Sequence, residues 1–415
     1  MNSFPERLTA YGSTTLEGLL ASQIQTIGAT IEDAIQAASH TTLLLIGGYG
    51  RGEGGVEVDP LLNQEQPHNN LDLLLITDHP RHIPSLHRKL LQPLQALNQS
   101  MPISIDLSIV SHDQIRRSPP LVLWYDIKHG HKTIFGNPTL MDTLRPHDSV
   151  QHIAPWDMRN LLTNRATLLL INDHLCQLQP TQDHRTLIRH AIKAIIGVGD
   201  ALLFFLGDYH WSYLEKMQRM ARRDDVDPSF RQLYQQAASF RLRPDYSAFQ
   251  SLDLHHWLAR IRTSLEPIHR QCESFRLGVH FDDWTRYLPH ALLAELSRKP
   301  AHWRSWARKS RHLANHIAPL FSTPFLLPSP SLITSLGALI TSNANLLSLL
   351  FPFLAYSPQP PSYARDLFSL LAIPDMPDDR DFRRLYLHAW ARYCDTNFLP
   401  ILHQIEAPLT QGVHS

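Results

Sequence analysis

At 415 residues the chain is longer than one hydrophobic core comfortably supports, so two domains are expected. Its 38 Lys and Arg balance 38 Asp and Glu, and a formal net charge of zero argues against a dedicated nucleic-acid binder. Three scattered cysteines, Cys176, Cys272 and Cys394, form neither a disulfide framework nor a zinc spacing, and the opening MNSFPERLTAYG lacks an apolar core of signal-peptide length; both fit a reducing cytoplasm.

Residues 15–39 place Leu16, Leu19, Leu20, Ile24, Ile27, Ile31 and Ile35 at helical spacing. The apolar run Thr41 to Ile46 predicts a first strand, which enters the glycine-rich segment Gly47 to Gly55. Gly54 to Asn70 reads as a polar loop with no helical period. Leu71 to Thr77 predicts a second strand, His82 to Leu97 a helix, Ile103 to Val110 a third strand, and Lys132 to Phe135 a fourth that ends at Gly136. After Pro155 strand signals fade and helical patterns dominate. The expected class is α+β: an N-terminal domain with a small mixed β-sheet over 1–150, then an all-α region over 151–415 that divides further near 324–330.

From Ile317 to Ala364 there is no charged residue, and the run between Pro330 and Pro352 is long enough to span a bilayer. Ser331, Thr334, Thr341, Asn343 and Asn345 within it, with the flanking prolines, favour buried helices of a soluble domain over membrane or partner contact. The basic stretch Ser297 to His316 interleaves Trp303 and Trp306, a pattern that suits either a solvated amphipathic helix or a polyanion. His129 and His131 read as surface residues.

Three readings of the glycine segment compete. A phosphate-binding P-loop requires Gly-Lys-Ser/Thr, whereas Gly52 is followed by Glu53. Gly50 to Gly55 satisfies G-x-G-x-x-G, with Asp72 where a ribose-binding acid could stand, but Gly54-Gly55-Val56-Glu57-Val58-Asp59-Pro60 is a poor start for the helix a dinucleotide fold needs. The third reading uses the later strands. Asn69 to Thr77 and Ile103 to Val110 each carry one carboxylate in an apolar run, Asp72 and Asp106, which is costly unless something pairs with it. Asn70 and Asp72, two apart on a strand, project to one face, while Leu71, Leu73 and Leu75 face the other way into a core. A metal and a nucleotide would account for all three segments.

In this combination residues 40–140 resemble the DNA polymerase β-type nucleotidyltransferase superfamily. Gly47-Gly48-Tyr49-Gly50-Arg51-Gly52-Glu53 is similar to the turn of bacterial protein uridylyltransferases and aminoglycoside-type relatives, Asn70-Leu71-Asp72 occupies the Asp-x-Asp place, and Asp106 the third-Asp place. The resemblance implies that Asp72, Asp106 and Asn70 hold Mg²⁺ (or Mn²⁺), with Asp106 assisting deprotonation of an acceptor, and that Gly47, Gly48, Tyr49 and Arg51 seat the triphosphate of an NTP, ATP by default. Arg51 either neutralises phosphate charge or braces the turn.

Asn70 departs from the pattern, since an amide oxygen ligates a hard cation without adding charge. Three outcomes are open: the enzyme tolerates Asn70; Glu57, Asp59 or Glu65 substitutes; or the site binds nucleotide without turnover. Farther on, Trp124 to Pro138 resembles the segment that closes the catalytic domain, with Asp126 near the site, and His190 to Tyr213 resembles a first long helix of the helical region. Lys193 and Asp200 lie two turns apart on nearly one face of that helix, and Lys193 either reaches the triphosphate or is a solvated helix lysine. Tyr209, His210 and Trp211 either line an acceptor pocket or end a core helix. The expected function is transfer of a nucleoside monophosphate from an NTP to a hydroxyl of a small molecule or protein; its rival is a decayed nucleotide-binding regulatory or scaffold protein.

Overall fold

A computed structural model describes residues 7–35, 41–59, 61–144, 147–178, 184–296, 342–357, 371 and 381–411. They fall into two compact units, each made of two stretches of chain: Met1–Met158 with Leu206–Leu252, and Arg159–Phe205 with Asp253–Ser415. The sequence suggests one cut near 150; instead residues 206–252 return to the N-terminal unit. The basic stretch 297–316 and the 324–330 division lie outside the described residues.

The first unit is built on α1 (Thr14–Ile35) and β1 (Thr41–Ile46). The buried face of α1 is Leu16, Leu20, Ile24, Ile27, Ile31 and Ile35, whereas Leu19, expected on the same stripe, is 48% exposed. One helical turn, α2 (Gly47–Gly50), follows β1 directly. The expected loop 54–70 contains a hairpin, β2 (Val56–Val58) and β3 (Glu65–Pro67), in antiparallel register. Strands of three residues are too short for alternation to show in the sequence. Asp59 closes the hairpin tip, its side chain accepting from the backbone N–H groups of Leu61 and Leu62 at 2.8 and 2.9 Å.

The remaining strands are β4 (Leu71–Thr77), β5 (Ile105–Ser111) and β6 (Lys132–Phe135), and the main sheet runs β5-β4-β1-β6. β1 is antiparallel to both neighbours; β4 and β5 are parallel, joined by the crossover helix α3 (Ile83–Ser100). Because successive strand residues point to opposite faces, the sheet divides its leucines between two cores. Leu43, Leu45, Leu71, Leu73 and Leu75 pack with Ile24, Ile27, Leu86 and Leu90 of α1 and α3. Leu44, Leu74 and Ile76 pack with Ile115, Trp124 and Ile127 of α4 (His112–Arg117) and α5 (Val122–His129).

The second unit takes the body of α6 (Pro155–Leu178), together with α7 (His184–Phe205), α10 (Leu254–Leu277) and α11 (Tyr287–Leu296), and the helices Asn343–Ala355, Phe382–Tyr393 and Phe398–Gln411. Asn343–Ala355 is the described part of the charge-free segment, and every residue from Leu346 to Ala355 is buried. Among the described residues no helix is long and apolar enough to cross a membrane. Inside this unit Glu273 accepts from Arg276 Nη2 at 2.6 Å, and Arg159 Nη1 stands 3.2 Å from Glu295 Oε1; all four side chains are at most 4% exposed.

Candidate functional site

Strand β4 delivers its carboxylate to the open end of the sheet. Asp72 pairs in register with Ile46, the last residue of β1, and with Asp106 of β5 on its other side. It shares parity with Leu74 and Ile76, but sits where their apolar cover has ended, half-buried beside an exposed Asp106 and an exposed Asn70. Asn70 donates from Nδ2 to Asp106 Oδ2 at 2.7 Å.

Gly47 completes this corner. A Cβ built on it would lie 2.3 Å from Asp72 Oδ2, and its φ of +68° is in the left-handed region, so position 47 demands glycine for both space and backbone. Asp72, Asp106, Asn70 and Gly47 are therefore brought together, as the sequence pattern anticipates. Among the described residues no group of three or more His, Cys, Asp or Glu side chains gathers to hold a metal ion, so a cation here would rely on two carboxylates and the Asn70 amide. That donor set is all oxygen, which suits a hard divalent cation. Of the substitutes for the missing carboxylate, Glu65 accepts from the backbone of Ser13 at 2.7 Å and Asp59 closes the hairpin tip, whereas Glu57 is buried in β2.

Tyr49 and Arg51 have other surroundings. The Tyr49 ring is fully buried in the α1–α3 core, close enough to Gly54 that a Cβ there would overlap it, and its hydroxyl donates to Gly55 O at 3.1 Å. Burial holds that phenol far above the usual tyrosine range. The Arg51 side chain is 9% exposed; its Nε lies 3.8 Å from Glu53, its guanidinium sits over the Tyr213 ring at 5.1 Å, and its stem runs along Gly130. Bracing of the turn is the role this packing supports. Lys193, on α7, belongs to the second unit.

Residues 206–252 contribute what the sequence pattern did not single out. Glu53, the residue that rules out a P-loop, accepts from Ser212 Oγ and from the backbone N–H groups of Tyr213 and Leu214, the latter two at 2.8 and 3.2 Å. It thereby fastens the start of α8 (Tyr213–Ala221) to the glycine segment, and Ser212 in turn caps that helix by accepting from Glu215 N. The Ser212-x-x-Glu215 spacing is a capping signature legible in the sequence, but it does not reveal Glu53 as partner. Tyr209 does not line an open pocket: it is buried and donates to both oxygens of Asp126, at 2.9 and 3.0 Å. Lys216 Nζ lies 4.0 Å from the Tyr213 ring centre, and Arg241 of α9 (Pro228–Leu242) lies over the same ring at 4.4 Å. Arg241 Nη2 would also be 3.7 Å from a Cβ on Gly48.

Comparison of the chain with protein-family models, with curated proteins and with solved structures found no match.

Proposed function

We propose that this protein is a Mg²⁺-dependent nucleotidyltransferase that moves a nucleoside monophosphate from an NTP, ATP by default, to a hydroxyl of a small molecule or protein in a reducing cytoplasm. The observation that carries the reading is the meeting of Asp72 and Asp106 at one register position of parallel β4 and β5, on the open end of the sheet and against Gly47. Two carboxylates in neighbouring parallel strands repel unless a cation or a donor stands between them. In this reading Asp72, Asp106 and the Asn70 carbonyl hold the cation, whose contribution is to polarise phosphate oxygens and offset charge that develops on the leaving group. Asp106, the exposed carboxylate, accepts the acceptor's proton, and Gly47 and Gly48 let the donor's phosphates approach the backbone without a side chain in the way.

The test is calorimetric titration of the four NTPs with Mg²⁺ and with Mn²⁺ into wild type and Asp72→Ala. Metal-dependent binding of an NTP that vanishes in Asp72→Ala is expected, and absence of binding by every NTP in wild type would overturn the reading.

A second reading has its own observation. The Asn70 amide donates to Asp106 Oδ2 at 2.7 Å and so already satisfies one oxygen of that carboxylate. A nucleotide-binding regulatory protein with a decayed transferase site fits this arrangement. Asn70→Asp separates the two: it removes the donor and adds a charge, so a weakened enzyme gains Mg²⁺ affinity and turnover by about tenfold, the scale of one charged ligand interaction. A variant unchanged in both favours the decayed site.

A further inference from the structure

The main sheet ends at β5, and among the described residues no strand lies on its outer side. An open groove of about 520 Å³ runs there between α3 and β5. Leu91, Leu94, Leu107 and Ile109 form its apolar part, and none of the side chains that line it is an Asp, Glu, Lys or Arg. Leu91 is 60% exposed. Sheet edges are commonly guarded by Lys, Pro or a bulge. β5 has no Lys or Pro, pairs with β4 without a break in register, and carries one charge, Asp106. The backbone shows how much of this edge is open. Leu71 N–H donates to Ser104 O, so even-numbered residues of β5 turn their N–H and C=O toward β4 and odd-numbered ones turn theirs outward. At one end Asn98 takes both outward groups of Ile105: its Oδ1 accepts from Ile105 N at 2.7 Å and its Nδ2 donates to Ile105 O at 3.2 Å. At the other end Gln114 Oε1 accepts from Ser111 N at 2.8 Å. Leu107 and Ile109, on either side of Ser108, are left to face outward, with their side chains in the groove.

An added strand pairs only with Leu107 and Ile109, and that short ladder decides what can occupy the edge. The net gain of one hydrogen bond is of the same order as the entropy lost in fixing one residue, so a free peptide comes out roughly even here. A second copy of the chain brings its strand already ordered. The edge is also its own complement. A two-fold axis through Ser108 sets Leu107 against Ile109 of the copy, each such pair exchanging both ladder bonds, and sets Asp106 against Val110, so no like charges meet. Ser108 opposes itself at the closely spaced position without ladder bonds, where a small side chain fits. Both α3 helices then lie on one face of the joined sheet, with Leu91 and Leu94 of each beside the merged grooves.

We propose that the β5 edge and its groove are a homodimer interface, in which β5 pairs antiparallel with β5 of a second copy about Ser108 and joins the two four-stranded sheets into one. The inference does not depend on the nucleotidyltransferase reading. Asp106 directly precedes the open stretch, so the interface runs past the candidate site of each copy.

The test is sedimentation equilibrium of the full chain from about 1 to about 100 μM, with thermal unfolding of each variant as the check on folding. Wild type is expected to approach the mass of a dimer as concentration rises. Ser108 and Leu91 are exposed, so substitutions there spare the core. Ser108→Lys and Ser108→Glu each set like charges together at the two-fold axis and should raise the dimer dissociation constant about tenfold or more, whereas an equimolar mixture of the two should associate again. Leu91→Glu should weaken the dimer by a similar factor. Wild type that stays monomeric throughout refutes the proposal and leaves the edge to an extended peptide of another protein. A wild-type dimer that neither Ser108→Lys nor Leu91→Glu weakens is formed elsewhere on the chain and also refutes it. A mixture of the two Ser108 variants that associates no better than either alone overturns the pairing about Ser108. Should the Ser108 variants fail to fold, Leu91→Glu decides: undiminished association there refutes the interface.

Discussion

The two units bury charge in opposite ways. In the helical unit, Arg276 meets Glu273 through three hydrogen bonds of 2.6–3.0 Å, and Arg159 Nη1 forms an ion pair with Glu295 Oε1 at 3.2 Å. Two cations stand with two carboxylates, and donors look toward acceptors. At the glycine segment of the first unit three cations, Arg51, Lys216 and Arg241, face one tyrosine ring, and the nearby Glu53 accepts from Ser212, Tyr213 and Leu214. Burial of charge is thus no signature of function by itself. In the helical unit the network joins α6 to α11 through Arg159 and Glu295.

The largest effect that can break this contrast lies in the helical unit. Burial alone would raise the Glu273 carboxyl, but Arg276 and Arg159 outweigh it and hold the group below the usual range. Glu273→Gln removes the buried carboxylate that pairs with Arg276 and should cost about 3–5 kcal/mol in urea unfolding. Replacing both partners, Glu273→Leu with Arg276→Met, should recover most of that loss. A single variant costing under ~1 kcal/mol would mean that the network is not closed, and the contrast would fail.

Acid sharpens the comparison next. Burial pushes the His269 imidazole down to about 4, from an ordinary 6.5. Its folded pKa is depressed, so the unfolded chain takes up the proton first; this contribution is complete above about pH 6.5 and shrinks as pH falls toward 4. Between pH 7 and pH 5 the helical unit should lose about 2 kcal/mol through this group. His269→Gln should flatten that slope in urea titrations at the two pH values; an unchanged slope would assign the acid sensitivity elsewhere. Glu406 acts at lower pH. Burial opposes its ionisation, yet hydrogen bonds from His174, His388 and Arg384 hold it far below the usual range, so its share is lost only as pH falls below about 4.5.

In the first unit the expected effects on stability are smaller and those on binding larger. Gly47→Ala places a methyl against Asp72 Oδ2 and a side chain at φ +68°, for about 1–2 kcal/mol of strain. Displacement of Asp72 should also weaken metal-dependent NTP binding, which the same titrations measure. The smallest change concerns the Tyr213 ring. Tyr213→Leu removes the aromatic face beneath three cations and should cost about 1–2 kcal/mol, whereas Tyr213→Phe keeps the face and should stay within ~0.5 kcal/mol. Equal costs for the two would assign the tyrosine's role to its hydroxyl.

Much of the first unit was legible in the chain because its signals are local. Thr41–Ile46, Leu71–Thr77 and Lys132–Phe135 are strands with the ends read from their apolar runs, and β5 begins and ends within two residues of the expected run. The hairpin at 56–67 escaped notice because each of its strands has three residues, and the exposure of Leu19 because a helical stripe does not tell which of its edges the neighbours cover. Within the site, parity on β4 was sufficient to send Leu71, Leu73 and Leu75 to the core on the face opposite Asp72.

What the chain determined by itself was therefore the alternation of strand residues, the glycine at position 47 and the carboxylates at 72 and 106, all set by periods of two and by backbone sterics. The tertiary structure alone decided that residues 206–252 rejoin the first unit, that Glu53 anchors α8, that Arg51 is walled in by Tyr213 and Gly130, and that Arg241 faces Gly48. These are long-range pairings between single side chains, chosen by which donors and cations find partners when the helices close over the turn. No period in the sequence encodes them.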